Sequence, residues 1–202
     1  MKISHNITTI SLGFLSMIFK KNTILLTALL IVGFMSPASA DVFQWQDPVS
    51  KITVTYPDQW KRVHNQSPDD VMSVMGPGEN DHAFCRLRVR SDERFAIYPQ
   101  RYSDNIQHIA FSRNFWEEYL GEYDNAQIHK MYDNAGLGRG FGSWALASYS
   151  TPLGPKMDKT AIMFVSHYNN KTYISECSAE KHAYSKWHNS FLSFVKSIDF
   201  RK

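Results

Sequence analysis

Arg86, Arg88 and Arg90 alternate within the segment Ala83-Phe84-Cys85-Arg86-Leu87-Arg88-Val89-Arg90. In an extended chain successive side chains point to opposite faces, so the three guanidiniums share one face. Ala83, Cys85, Leu87 and Val89 share the other. Guanidinium forks grip phosphates and carboxylates through paired hydrogen bonds. Arg86, Arg88 and Arg90 are therefore the candidate ligand-binding residues, suited to a small anion or an acidic partner. The simpler reading is a solvated face whose arginines pair with acids on neighbouring strands, and it ranks ahead of a ligand site.

The cysteines, Cys85 and Cys177, each sit in a strand-like segment, the second being Lys171-Thr172-Tyr173-Ile174-Ser175-Glu176-Cys177. An even count in an exported chain predicts a disulfide. Two buried thiols or a redox pair are the alternatives, and no C-x-x-C pattern supports the redox option. If the bridge forms, Cys85 and Cys177 lie on one face of neighbouring strands. Glu176 then falls on the arginine face, which predicts an Arg–Glu176 pair.

Other chemistry is thinner. Beyond residue 40 lie His64, His82, His108, His129, His167, His182 and His188, with no H-x-H or H-E-x-x-H spacing for a metal. Asp81-His82 could supply a general base, but no G-x-S-x-G elbow accompanies it, so no catalytic residue is assigned. Gly136, Gly138, Gly140 and Gly142 alternate without the G-x-G-x-x-G spacing of a dinucleotide site, and no cofactor is expected. The glycines read as a flexible hairpin tip running into a strand, with Trp144 and Leu146 continuing their parity. Trp45, Tyr98, Tyr102 and Tyr123 are either a partner-binding surface or core and loop anchors.

These residues need a frame. Lys51–Tyr56 alternates with period two and Pro57-Asp58 ends it; Trp60–Asn65, Val71–Met75 and Ala83–Arg90 follow as strands. Asp41–Asp47 reads as a short lead-in. Ser67-Pro68-Asp69-Asp70 reads as a turn and Gly76–Asp81 as a loop. Ser103 or Asp104 could cap a helix reaching Leu120. Ala126–Tyr132 and Ser143–Ser150 read as strands. Ala161–Tyr168 and Lys171–Ala179 form a hairpin around Asn169-Asn170, because Asn tolerates the left-handed backbone of a tight turn. Trp187, Phe191, Phe194, Val195 and Ile198 make one helical stripe. Ile198 and Phe200 begin a short final strand. The expected class is α+β, one domain on a largely antiparallel sheet.

The net charge of +3 comes from 22 Lys+Arg against 19 Asp+Glu in 202 residues. Residues 1–40 hold Lys2, Lys20 and Lys21 and no acid, so the rest carries 22 − 3 = 19 basic and 19 acidic residues. The neutral remainder argues against nucleic-acid binding. Lys20-Lys21-Asn22, an apolar run of about 12 residues from Ile24 to Met35, and Ala38 and Ala40 before Asp41 make a secretory signal peptide. The run is too short for a membrane span, and no cysteine follows Ala40 to take a lipid. Residues 1–40 are expected to be the signal peptide, with the true start at Met17, and 41–202 the exported domain.

Two stretches resemble PsbP-like domains. Ile52-Thr53-Val54-Thr55-Tyr56-Pro57-Asp58-Gln59-Trp60 resembles their opening strand and its Pro-x-x-Trp turn. Trp187–Phe200, ending Ser197-Ile198-Asp199-Phe200, is similar to their last helix and final strand. The group includes photosystem extrinsic proteins, Ran-binding Mog proteins and exported bacterial proteins. The resemblance implies an antiparallel sheet sandwiched by helices and work in binding or assembly; it transfers no catalytic residues. The expectation is a periplasmic or secreted, non-catalytic protein with an envelope protein partner and no stable membrane span once the signal is removed. The alternatives are an anionic-ligand binder using the arginine stripe, then a hydrolase with a His/Asp site.

Overall fold

The period-two segments become strands, and their pairing sets two layers. The structure is a computed structural model that describes residues 41–92, 111–133, 135–138 and 140–200. The expected signal peptide, and with it the Met17 start, lies outside the described residues. In chain order come β1 (Val42–Gln46), β2 (Ile52–Pro57), β3 (Lys61–Arg62), β4 (Asp70–Met75) and β5 (Phe84–Ser91). Helix α1 (Arg113–Leu120) leads to β6 (Asp124–Asp133), β7 (Phe141–Ser150), β8 (Asp158–Tyr168) and β9 (Lys171–Glu180). Helix α2 (Tyr184–Lys196) and β10 (Asp199–Phe200) follow. Among the described residues a seven-stranded sheet runs β3-β4-β5-β9-β8-β7-β6 and a three-stranded sheet runs β1-β2-β10. The pairings are antiparallel.

Helix α2 exists because Trp187, Phe191, Phe194 and Val195 recur on one side, and all four are buried. They pack with Ile52, Val54 and Tyr56 of β2 and with Cys85, Leu87 and Cys177 in one core. The two stretches that carry the PsbP resemblance meet here. Trp60 stands edge-on to Trp187 at 5.7 Å and to Phe191 at 6.2 Å, an arrangement that suits the ring quadrupoles. Ser197 ties the helix end to β2, accepting from the Thr55 amide at 2.8 Å and donating to the Thr55 carbonyl at 2.9 Å.

The opposite face of the large sheet carries a second core under α1, with Phe111, Trp116, Leu120, Ala145, Ala147, Met163 and Ile174. Alanines on β7 let the helix sit close. The Trp116 indole donates to Ser143 Oγ at 3.0 Å, which donates in turn to the Phe111 carbonyl at 2.8 Å. The sheet is thus covered by α1 on one side and by α2 with the small sheet on the other.

Several expectations need correction. The lead-in at 41–47 forms β1, because it finds β2 as a partner over five residue pairs, Val42↔Pro57 through Gln46↔Thr53. The helix expected from Ser103 or Asp104 to Leu120 is described from Arg113 to Leu120. Ser112 is extended, with φ −68° and ψ −177°, so α1 begins at Arg113; residues 103–110 lie outside the described residues. Of Trp60–Asn65 only Lys61-Arg62 forms strand, with the Val63 amide adding one bond to the Ser73 carbonyl at 3.0 Å, and Trp60 turns into the core instead. The final strand starts at Asp199, after Ile198.

The Asn169-Asn170 turn is as expected, with φ of 53° and 58° at the two residues. The glycine stretch is packed. A Cβ on Gly142 would stand 1.7 Å from the Val165 carbonyl oxygen, so β7 can approach β8 only with glycine there. Gly138 takes φ +51° against Ile198 and Phe200.

Candidate functional site

The arginine stripe lies on β5 between β4 and β9. Cys85↔Cys177 and Arg86↔Glu176 are neighbouring pairs in the β5–β9 register. The cysteines form a disulfide across 92 positions of sequence, with Cα atoms 4.1 Å apart. Their side chains face the α2 core, so the next pair faces α1, which places Glu176 beside Arg86.

Glu176 is the centre of a buried network. Its Oε2 accepts from Arg86 Nη2 at 2.7 Å and Nε at 3.2 Å, and from the Tyr119 hydroxyl at 2.6 Å. Its Oε1 accepts from the Tyr149 hydroxyl at 2.6 Å and the Tyr123 hydroxyl at 3.2 Å. Arg86 also donates to the Tyr119 and Tyr123 hydroxyls. The Tyr123 ring stacks on Tyr149 with centroids 3.9 Å apart. Arg86 is 5% and Glu176 2% exposed, a depth at which unpaired charges would be strongly unfavourable. Burial by itself would raise the Glu176 carboxyl. The Arg86 charge, with the Tyr119 and Tyr149 hydroxyls, overcomes that and holds it at about 2. Burial and the adjacent Glu176 charge push the Tyr119 and Tyr149 hydroxyls well above the usual phenol range.

Arg88 and Arg90 continue the pattern outward. Arg88 is 2% exposed, its Nε donating to Asp70 Oδ1 at 3.1 Å and its Nη1 to Glu122 at 3.3 Å. Its guanidinium lies 5.3 Å from the Tyr119 ring centroid. The turn before β4 fixes Asp70: Oδ2 accepts from the Gln66 amide at 2.9 Å and the Ser67 amide at 3.0 Å. Arg90 is half-exposed, and its Nε donates to Asp69 Oδ2 at 2.5 Å. The Asp69 carboxyl is opposed by burial, yet hydrogen bonds from Ser67 and Arg90 leave it below its ordinary value.

Strand parity predicts the Arg–Glu176 pair and does not predict the rest of the network. The expected solvated face is in fact roofed by α1, so Arg86 and Arg88 are buried. Asp69, Asp70, Glu122 and Tyr149 had no spacing signal of their own. Tyr119 lies on α1 and Tyr123 in the turn after it, so helical spacing does not announce that they meet.

Beside the network the sheet and α1 enclose an open cavity of about 530 Å³. Arg90, Asp92, Glu118, Glu122, Phe115 and Tyr119 line it, with Thr172 and Ile174 of β9. Thr172 Oγ1 donates to Asp92 Oδ2 at 2.6 Å.

The other candidates are dispersed. Asp81 does not orient His82: its Oδ2 accepts from Lys186 at 2.5 Å and from the Trp187 indole at 2.9 Å. His82 and His182 flank Glu180 at 3.5 Å and 3.2 Å. His129 meets Ser148, and His188 meets Tyr184. Among the described residues no three His, Cys, Asp or Glu groups converge to hold a metal. Trp45 is half-buried beneath Arg62, 5.5 Å from its ring. Tyr98, Tyr102 and His108 lie outside the described residues. Among the described residues no helix is long and apolar enough to cross a membrane.

Comparison with known proteins agrees with the architecture. The cyanobacterial PsbP, CyanoP, of Synechocystis superposes with a TM-score of 0.51 at 10% identity, over 82% of this chain and 96% of that one. LpqN of Mycobacterium tuberculosis, described as involved in cell envelope biogenesis, gives 0.47 at 14% identity, over 79% of this chain and 90% of that one. The fold is PsbP-like. In sequence, an L-arabinose isomerase of Clostridium acetobutylicum is 23% identical over 131 residues, 64% of this chain. The chain spans about a quarter of that enzyme's length, 26%. No family model matches the chain.

Proposed function

We propose that this chain is an exported, non-catalytic binding or assembly protein, made with a signal peptide at 1–40 and working as residues 41–202 in the periplasm or outside the cell. The observation that carries the reading is the Cys85–Cys177 bridge, set into the two central strands of a PsbP-like sheet. Such a bridge suits an oxidising compartment, and the leader supplies the route there. An envelope protein is the expected partner.

The electrostatics of the site support binding over catalysis. A general acid or base works best with a pKa near the working pH. Here the carboxyl at the centre is held at about 2 and the surrounding phenols are driven upward. These groups keep one protonation state across the neutral range. They hold a surface in shape and are not poised to move protons.

Two measurements test the reading. Mass spectrometry of the secreted or periplasmic protein should find Asp41 as the first residue and the bridge intact without reductant. In-cell cross-linking from the β5–α1 surface should give one defined product in the envelope fraction. A chain retained in the cytosol with reduced cysteines would overturn the proposal.

A further inference from the structure

Among the described residues the cavity between β5, α1 and β9 is lined by one arginine, Arg90, and by three carboxylates, those of Asp92, Glu118 and Glu122. Arg86 pairs with Glu176 at 2.7 Å, Arg88 with Asp70 at 3.1 Å and Arg90 with Asp69 at 2.5 Å. Those three pairs cancel. Glu122 then adds a fourth carboxylate, reaching Arg88 at 3.3 Å and Arg90 at 3.9 Å, and it lines the cavity half-exposed. Glu118, one helical turn before it, lines the same cavity and is exposed. Among the described residues its carboxylate has no ion-pair partner. An anion entering here would meet one guanidinium, that of Arg90, already paired with Asp69, and the carboxylates of Asp92, Glu118 and Glu122. A cation would meet an attractive field in a concave site, where low-dielectric walls concentrate it.

The apolar part of the wall narrows the ligand class. Phe115 and Ile174 line the cavity alongside the charges. The near-parallel rings of Phe115 and Tyr119 stand 6.4 Å apart. Tyr119 already carries one guanidinium, that of Arg88, at 5.3 Å. Its volume, about 530 Å³, falls in the range of about 300–1,000 Å³ typical of ligand sites. A long alkyl stem ending in a charged head matches that surface: the stem lies on the rings and the head reaches the carboxylates.

We propose that this cavity receives a basic side chain, arginine or lysine, from an exposed segment of the protein partner, with Glu118 and Glu122 as the carboxylates that take the charge. The proposal rests on the reading of the chain as a binding protein and gives that reading a site and a partner chemistry.

The test is a ¹H–¹⁵N NMR titration of the purified protein with four probes. They are an acetylated, amidated tripeptide with a central arginine between glycines, its citrulline counterpart, spermidine and inorganic phosphate. The arginine peptide should shift the amides of Phe115, Glu118, Glu122, Thr172 and Ile174 saturably. Its affinity should fall about tenfold between about 0.05 M and about 0.3 M NaCl. Citrulline and phosphate should leave these amides in place. Glu118→Gln should weaken the peptide several-fold and Glu118→Lys should abolish its effect, both without a change in melting temperature.

Saturable binding of phosphate, equal binding of citrulline, or no response to the arginine peptide would overturn the proposal. Spermidine binding without peptide binding would overturn the protein-borne source. A cross-linked envelope partner together with a silent cavity would retire this site and leave the broader reading standing.

Discussion

Strand β5 presents two faces that are equally buried and oppositely built. One face sends Cys85 and Leu87 into the α2 core, where the neighbours are aliphatic and aromatic. The other sends Arg86 and Arg88 under α1, where the neighbours are carboxylates and phenols. On the first face stability follows from area removed from water and from filled volume. On the second it follows from complete pairing, because each charge is tolerable only while its partner is present. An apolar face loses energy in proportion to what is cut away. A paired polar face loses most when half of a pair is cut, and much less when both halves go together.

The largest effect expected lies on the apolar face. Replacing Cys85 and Cys177 together by alanine frees a 92-position span of the unfolded chain and should cost about 4–5 kcal/mol on the loop-entropy model. Urea unfolding of the oxidised protein and the double variant measures it. On the polar face Glu176→Ala should cost about 3–5 kcal/mol, since it strands Arg86 without a counter-charge. The double variant Arg86→Met with Glu176→Leu should recover much of that loss. A double variant no better than the single one would mean that this face, too, is governed by packing.

Tyr149→Phe removes one hydroxyl donor to Glu176 and keeps the ring stack on Tyr123. It should cost about 1.5–3 kcal/mol, the range for a hydrogen bond to a charged group. Glu118→Gln, on the exposed rim, should stay within about 0.5 kcal/mol of the parent in thermal unfolding. That small value would separate the rim carboxylate from the buried ones it neighbours.

The two faces were also unequally legible from the sequence. Period-two alternation placed Cys85 and Leu87 on one side of β5 and the arginines on the other. The expected disulfide then set the β5–β9 register and brought Glu176 to the arginines. Alternation cannot say whether a charged face is wet or roofed, and that depended on α1. Ser112, extended before Arg113, starts that helix later than the residue pattern suggested. Asp70 reaches Arg88 only because the turn at residues 66–70 aims it there. Its partnership is a property of tertiary geometry and leaves no spacing to read. The α2 stripe and the Pro57–Trp60 turn were readable because each is local in sequence, and Trp60 packing on Trp187 is where the two became one core.

The central claim is that the arginine face is a closed, internally neutralised network that carries an acidic cavity. Glu176 reports on it directly. A carboxyl whose folded-state value lies below its unfolded value stabilises the fold above the unfolded value, and that stabilisation is lost as pH falls through the folded one. For Glu176 the window runs from about 4.5 down to about 2, and the stability at stake is about 3 kcal/mol. The direct measurement is a ¹³C NMR titration of the Glu176 side-chain carboxyl in the folded protein. A midpoint near 2 is the result expected. A midpoint at or above 4.5 would show that Arg86 and the three tyrosines do not hold the charge, and would contradict the account.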